Sequence, residues 1–206
     1  MKGSIMEENT VDTICMVKRG AFARALKAGL ITAGEAHLAV VRVEFRTSLG
    51  LTVVSTDGKR LNLVTVRQAA VNEALREVTA HVLTASCKRL VQFLGTKASE
   101  SEQWVRVSAT DSELTVKLYN NEAFSAKLDD SPSFPEYARV IPNEKRDAGS
   151  EPVGFTAKFL GDAAKSATAI GADFIKALPS PAREPQLFKA EAGDLELLHV
   201  LMPARA

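Results

Sequence analysis

The chain has 206 residues, 46% of them hydrophobic, and a formal net charge of +1 from 26 basic and 25 acidic residues. That length and apolar content suffice for one large domain or two small ones. The balanced charge excludes a globally basic nucleic-acid binder, so any DNA contact must come from local segregation of charge.

The predicted elements fall into three similar units, repeating at roughly 60–70 residues, each a helix followed by strands. In the first unit, Val11 to Val17 alternates as a short strand and Lys18 to Leu30 has helical periodicity. Strands follow at Leu38 to Arg46, Leu51 to Ser55 and, after the Asp57-Gly58 turn signal, Leu61 to Arg67. The second unit repeats the order. A strand at Glu77 to Leu83 and a helix at Ala85 to Lys97 precede strands at Trp104 to Ala109, Leu114 to Tyr119 and Ala123 to Leu128. A Pro-, Ser- and acid-rich loop runs from Asp129 to Pro135, and the polar stretch around residues 143–152 reads as a linker. This divides the chain into 1–142, the linker, and a third unit at 153–206. The third unit has a helix at Lys158 to Ile170 and strands near Phe174 to Leu178, Gln186 to Ala190 and Leu195 to Met202. The fold class is α+β.

Each helix divides into an apolar and a cationic side. Phe22, Leu26 and Leu30 oppose Arg24 and Lys27; Leu90, Val91 and Leu94 oppose Lys88 and Arg89; Phe159, Leu160, Ala163 and Ile170 oppose Lys158 and Lys165. Small residues (Ala21, Ala28, Gly95, Gly161, Ala164) pad the cationic sides. A low, cationic helix layer admits a phosphate backbone without reading bases. Solvated helix surface explains any one helix better; the recurrence in three brings the two readings level, and charge alone does not decide between them.

Catalysis and metals find little support. Cys15, Cys87 and three scattered histidines have no ligand spacing, and the cysteines read as reduced core thiols. There is no Gly-rich phosphate loop and no nucleophile with a matched base, so the chain reads as a non-enzyme without cofactor or metal. Asp57 is turn chemistry, and Gln186-Leu187-Phe188 reads as strand core. No apolar stretch nears the ~20 residues that span a bilayer, and polar Met1 to Thr10, with Glu7 and Glu8, is unlike a signal peptide. A cytoplasmic protein with no membrane partner is expected.

Three stretches go beyond pattern. Thr56-Asp57-Gly58-Lys59-Arg60-Leu61 is similar to the Thr-Asp-Gly-His-Arg-Leu hairpin in the middle domain of bacterial DNA polymerase III beta subunits, the beta sliding clamps, with Lys59 in place of the His. Phe134-Pro135-Glu136-Tyr137-Ala138-Arg139-Val140-Ile141-Pro142 resembles the segment leaving that domain, and Val200-Leu201-Met202-Pro203-Ala204-Arg205-Ala206 resembles the family's C-terminus. The chain thus resembles a shortened clamp: the middle domain plus the second half of the last.

The resemblance implies a DNA-clamp fold, with sheets outside and helices on the inner face. It implies non-specific encirclement of double-stranded DNA by Arg24, Lys27, Lys88, Arg89, Lys158 and Lys165. It also implies a groove for short motifs, roughly Gln-Leu-x-Leu-Phe, of DNA polymerases and other clamp users. Thr56, Gly58, Lys59, Arg60, Leu61, Pro135, Arg139, Val140, Val200, Leu201, Met202, Pro203 and Arg205 would build it. Leu61, Val140, Val200, Leu201, Met202 and Pro203 would form the walls, and Arg60, Arg139 and Arg205 would bind carbonyls or the Gln. A homo-oligomer is expected, a tetramer by unit count. The alternative is a peptide-binding adaptor that competes with a full-length clamp for its clients without forming a ring.

Overall fold

The computed structural model describes residues 15–46, 50–72, 77–95, 97–129, 133–142, 153–181 and 183–203. The inferred linker, Arg205 and the start of the first predicted strand lie outside them. The first unit comprises β1 (Cys15–Lys18), α1 (Arg19–Thr32), β2 (Val40–Arg46), β3 (Gly50–Thr56), β4 (Arg60–Val66) and a short β5 (Ala70–Val71). The second comprises β6 (Val78–Leu83), α2 (Thr84–Leu94), β7 (Trp104–Ala109), β8 (Glu113–Lys117) and β9 (Ala123–Lys127); a 3-10 turn follows at Tyr137–Val140. The third comprises α3 (Ala157–Ile170), β10 (Lys176–Ala177), β11 (Gln186–Ala192) and β12 (Leu195–Leu201).

The units are interlocked, which periodicity did not reveal. One sheet has the order β5-β1-β7-β8-β9 and the other β10-β11-β12-β4-β3-β2-β6. The first two units thus exchange their leading strands: β1 pairs with β7, and β6 with β2. The third unit joins the first through an antiparallel ladder from Leu195↔Val66 to Leu201↔Arg60. Its strands therefore extend the first unit's sheet directly.

The helices lie together on one side of the sheets, with α1 packed between α2 and α3. Strand alternation sends Val41, Val43, Phe45, Val105, Val107, Leu114, Val116, Leu195 and Leu197 into the core beneath them. Because α1 is enclosed, Ala21 and Ala28 are buried contact positions rather than padding on a solvent face; Gly161 and Ala164 are exposed. Gly29 brings α1 close to the sheet, since a Cβ there would sit 3.1 Å from a Val53 methyl and 3.2 Å from a Val41 methyl.

The stripe of α3 departs from expectation. Leu160 is exposed, whereas Asp162 and Ser166 are buried. The cause is a polar seam where α3 meets α1 and the sheet. Asn62 donates 2.8 Å hydrogen bonds to the Ala28 carbonyl and to Ser166 Oγ, and its carbonyl oxygen lies 2.5 Å from His199 Nδ1. Cys15 and Cys87 are buried free thiols, each pushed up to about 12 by burial. Gln186, Leu187 and Phe188 are buried in β11, as strand core requires.

Candidate functional site

The hairpin between β3 and β4 is fixed by its own side chains. Thr56 Oγ1 donates to the Arg60 carbonyl at 2.7 Å and accepts from Gly58 N at 3.0 Å. Asp57 Oδ1 accepts from the backbone N–H groups of Lys59 and Arg60, both at 2.9 Å, which is Asx-turn chemistry. Gly58 has φ +84°, a conformation that favours glycine. The chain leaving β12 is tied to this turn, because Met202 N donates to the Lys59 carbonyl at 3.1 Å.

The Phe134–Ile141 segment lies against the sheet face opposite the helices. The Tyr137 hydroxyl donates at 2.8 Å to Glu44, which is buried mid-strand in β2. Burial and that carboxylate push the phenol up to about 12. Glu44 is neutralised by Arg42 at 2.6 Å and Arg46 at 3.1 Å, and the Arg42 guanidinium stands over the Phe134 and Tyr137 rings at 5.6 and 5.4 Å. Such charge-assisted and cation–π contacts hold an otherwise irregular segment in place. A small apolar cluster of Val54, Leu61, Tyr137, Leu187 and Val200 forms beneath it.

These pieces enclose a cavity of about 170 Å³ lined by Thr56, Gly58, Lys59, Arg60, Leu61, Pro135, Glu136, Tyr137, Val140, Val200 and Met202. That is smaller than the 300–1,000 Å³ typical of small-molecule sites and suits a few inserted side chains. Val140 and Met202 remain 46% and 45% exposed at its rim.

Three expected pocket residues stand elsewhere. Leu201 is fully buried, because alternation along β12 turns it away from the face that Val200 shares. Arg139 is exposed and held by Glu136 at 2.6 Å, outside the lining, and Pro203 also lies outside it. Arg60 lines the cavity, but its guanidinium is already engaged. It bonds Asp57 at 2.9 Å, pairs with Asp162 of α3, and lies 4.5 Å from the Phe159 ring centroid. Burial raises the Asp162 carboxyl, but hydrogen bonds from Lys165 and Arg60 outweigh this and hold it below its ordinary range.

The six cationic helix residues are all exposed. Arg24 and Lys27 border a cleft of about 210 Å³ between α1 and α2, closed at one end by Ala169 of α3. Lys165 differs from the others, being paired with Asp162 at 2.8 Å.

No protein-family model matches the sequence, and no curated protein sequence matches it. Solved structures do match. The DNA polymerase III subunit beta of Pseudomonas aeruginosa bound to griselimycin is 16% identical at a TM-score of 0.74, with 99% of this chain and 68% of that one covered. The sliding clamp of Bacillus subtilis is 14% identical at TM-score 0.75, covering 99% and 67%. A putative beta subunit from Eubacterium rectale is 11% identical at 0.75, covering 99% and 68%. The chain has the sliding-clamp fold. It spans about two thirds of the length of these clamps.

Within that clamp fold, the sequence under-reads the residues that support the pocket. Tyr137 and Glu136 line it although only their neighbours were selected. Glu44, Asn62, Asp162 and His199 fix its walls from behind. Glu44 and His199 do leave a sequence signal, since each is a polar residue inside an apolar strand. Burial lowers His199 to about 4, with the Arg60 cation acting in the same direction.

Proposed function

We propose that this chain works as a sliding-clamp-like protein, docking short hydrophobic motifs of DNA polymerases or other partners while its helix layer rides on duplex DNA. The observation that carries this reading is the convergence of three stretches far apart in sequence on one concavity rimmed by exposed Val140 and Met202. A Leu–Phe anchor pair would cover those side chains, and a few such anchors dominate binding of short motifs. The correspondence to a clamp's middle domain plus the second half of its last supports the same assignment. The β12–β4 ladder then stands as a domain junction, with the pocket beside it.

Encirclement of DNA follows from the helix layer. Arg24, Lys27, Lys88, Arg89 and Lys158 have no ion-pair partner among the described residues, so their charge is available to phosphates. Closing a ring requires the free edges. Within the described residues the β4 edge is occupied by β12 and the outer edge of β9 is open. Contact between chains through β9 therefore uses a partner edge other than β4.

The test is fluorescence anisotropy with a labelled Gln-Leu-Ser-Leu-Phe peptide, paired with light scattering of the full chain. Saturable binding that Met202→Glu weakens by about tenfold or more supports the pocket. Equal affinity for the two proteins refutes it. A concentration-stable species near four times the 22.2 kDa chain supports the ring, whereas a monomer at all concentrations refutes encirclement.

A further inference from the structure

A concavity of about 500 Å³ lies away from the pocket, on the outer face of the β5-β1-β7-β8-β9 sheet. Alternation sends Val105, Val107, Leu114 and Val116 toward the helices and Trp104, Arg106 and Lys117 outward. The ladder sets Arg106 directly against Lys117. Like charges facing across a ladder repel, and neither residue has an ion-pair partner among the described residues. Their neighbours differ. Lys18 on β1 is neutralised by Glu102 at 3.0 Å and Asp194 at 3.5 Å, and Thr115 opposite Ser125 forms a 2.9 Å hydrogen bond.

Trp104 stands two residues before Arg106 and Tyr119 two after Lys117, in the turn that follows β8. Both line the concavity, with Trp104 42% and Tyr119 91% exposed, and neither ring meets another aromatic side chain among the described residues. Two open π faces thus stand beside two unneutralised cations.

We propose that this face binds single-stranded DNA, its bases stacking on Trp104 and Tyr119 and its phosphates meeting Arg106 and Lys117. The pairing of stacking platform and cation is the physics of sequence-tolerant single-strand binding. A duplex keeps its base faces stacked inside and would leave both rings unused. An acidic peptide would neutralise the cations but offer nothing to the π faces. The site is independent of the peptide pocket and of the helix layer, because it lies on a different sheet from the first and on the opposite face from the second.

Trp104 is the only tryptophan in the chain, so its emission reports on this site alone. The full chain is titrated at low salt with an oligo-dT of about eight nucleotides. Saturable quenching is expected, far stronger than with duplex of the same length or with dTMP at equal phosphate. Tyr119→Ala weakens binding about tenfold. The double variant Arg106→Gln and Lys117→Gln lowers the slope of log affinity on log salt by about 1.4. A labelled oligo-dT keeps its affinity for Trp104→Phe, which retains a stacking ring. Equal quenching by duplex, or by dTMP, overturns the single-strand assignment, as does unchanged affinity in both outer-face variants. Loss of quenching in Arg24→Glu with Lys27→Glu would place the strand on the helix layer and equally overturn it.

Discussion

Four strands of each sheet follow one plan, β1-β7-β8-β9 in the first and β6-β2-β3-β4 in the second, yet the outer faces of the two sheets have opposite characters. On the seven-stranded sheet, the Phe134–Ile141 segment covers the strands, shelters an apolar cluster and leaves a small pocket. Its outward cations Arg42 and Arg46 are spoken for by Glu44, while Arg60 turns to the helix side and pairs with Asp162 as well as Asp57. On the five-stranded sheet the concave face holds Trp104, Arg106, Lys117 and Tyr119, with both cations unpaired among the described residues. The repeat therefore supplies a scaffold, and the segments outside the repeat decide what each face offers. Where a loop returns over the strands, the face is covered and keeps a small apolar pocket. Where none does, it stays a charged and aromatic platform.

The sharpest way to break this comparison is to remove one arginine from each sheet. Arg60→Ala takes away a side chain only 8% exposed and leaves the buried Asp162 carboxylate to Lys165 alone. Stranding a buried charge in this way should cost about 3 kcal/mol in urea unfolding. It should also loosen the hairpin that forms the pocket floor. Arg106→Ala on the bare face should change stability by no more than about 0.5 kcal/mol, as exposed sites usually do. Similar costs for the two variants would mean that Arg60 is not structurally committed and remains free to bind a partner.

A second effect of similar size depends on pH. His199 is fully buried behind the pocket, with Nδ1 on Asn62 and, among the described residues, no hydrogen-bond partner on Nε2. Burial and the Arg60 cation lower it from 6.5 to about 4, against smaller raising effects of Asp162 and Asp57. A histidine depressed on folding binds its proton more readily in the unfolded chain. Its contribution is therefore complete above pH 6.5 and is lost as pH falls toward 4, for a total of roughly 3 kcal/mol. Unfolding followed between pH 7 and 4.5 should show this decline, and His199→Gln should flatten it. A variant as acid-sensitive as the parent would assign the decline to the carboxylates instead.

Much of the scaffold was readable from the chain because its signals are local. Alternation located β7 from Trp104 to Ala109, and Asp57-Gly58 located the hairpin that holds Thr56 to Leu61. Pairing partners were not readable. Nothing in the sequences of β1 and β6 says that each joins the other unit's sheet, or that β12 docks on β4, because these are choices among equally apolar edges. Leu201 shows the consequence for the site. Period-2 alternation separates it from Val200, but only the register tells which of the two faces the pocket. The placing of Leu160 on the buried stripe of α3 fails for a related reason, since α3 turns Asp162 and Ser166 toward polar groups of another unit rather than a continuous apolar wall. The cavity on the five-stranded face escaped notice because Arg106 and Lys117 lie on separate strands, and only pairing sets them side by side.

The smallest expected effect bears most directly on what the bare face is for. Lys117→Thr removes one member of the facing cationic pair and substitutes a residue well suited to an exposed strand position. If Arg106 and Lys117 are merely solvated surface, the change relieves their repulsion and raises stability by a few tenths of a kcal/mol, with no other consequence. If the pair exists to meet phosphates, the same gain comes with weaker quenching of Trp104 by oligo-dT and a shallower salt dependence. Paired thermal melts and titrations on one protein preparation distinguish the two. A more stable protein that binds the strand less well would mean that the repulsion is retained at a cost in stability because an anion normally relieves it.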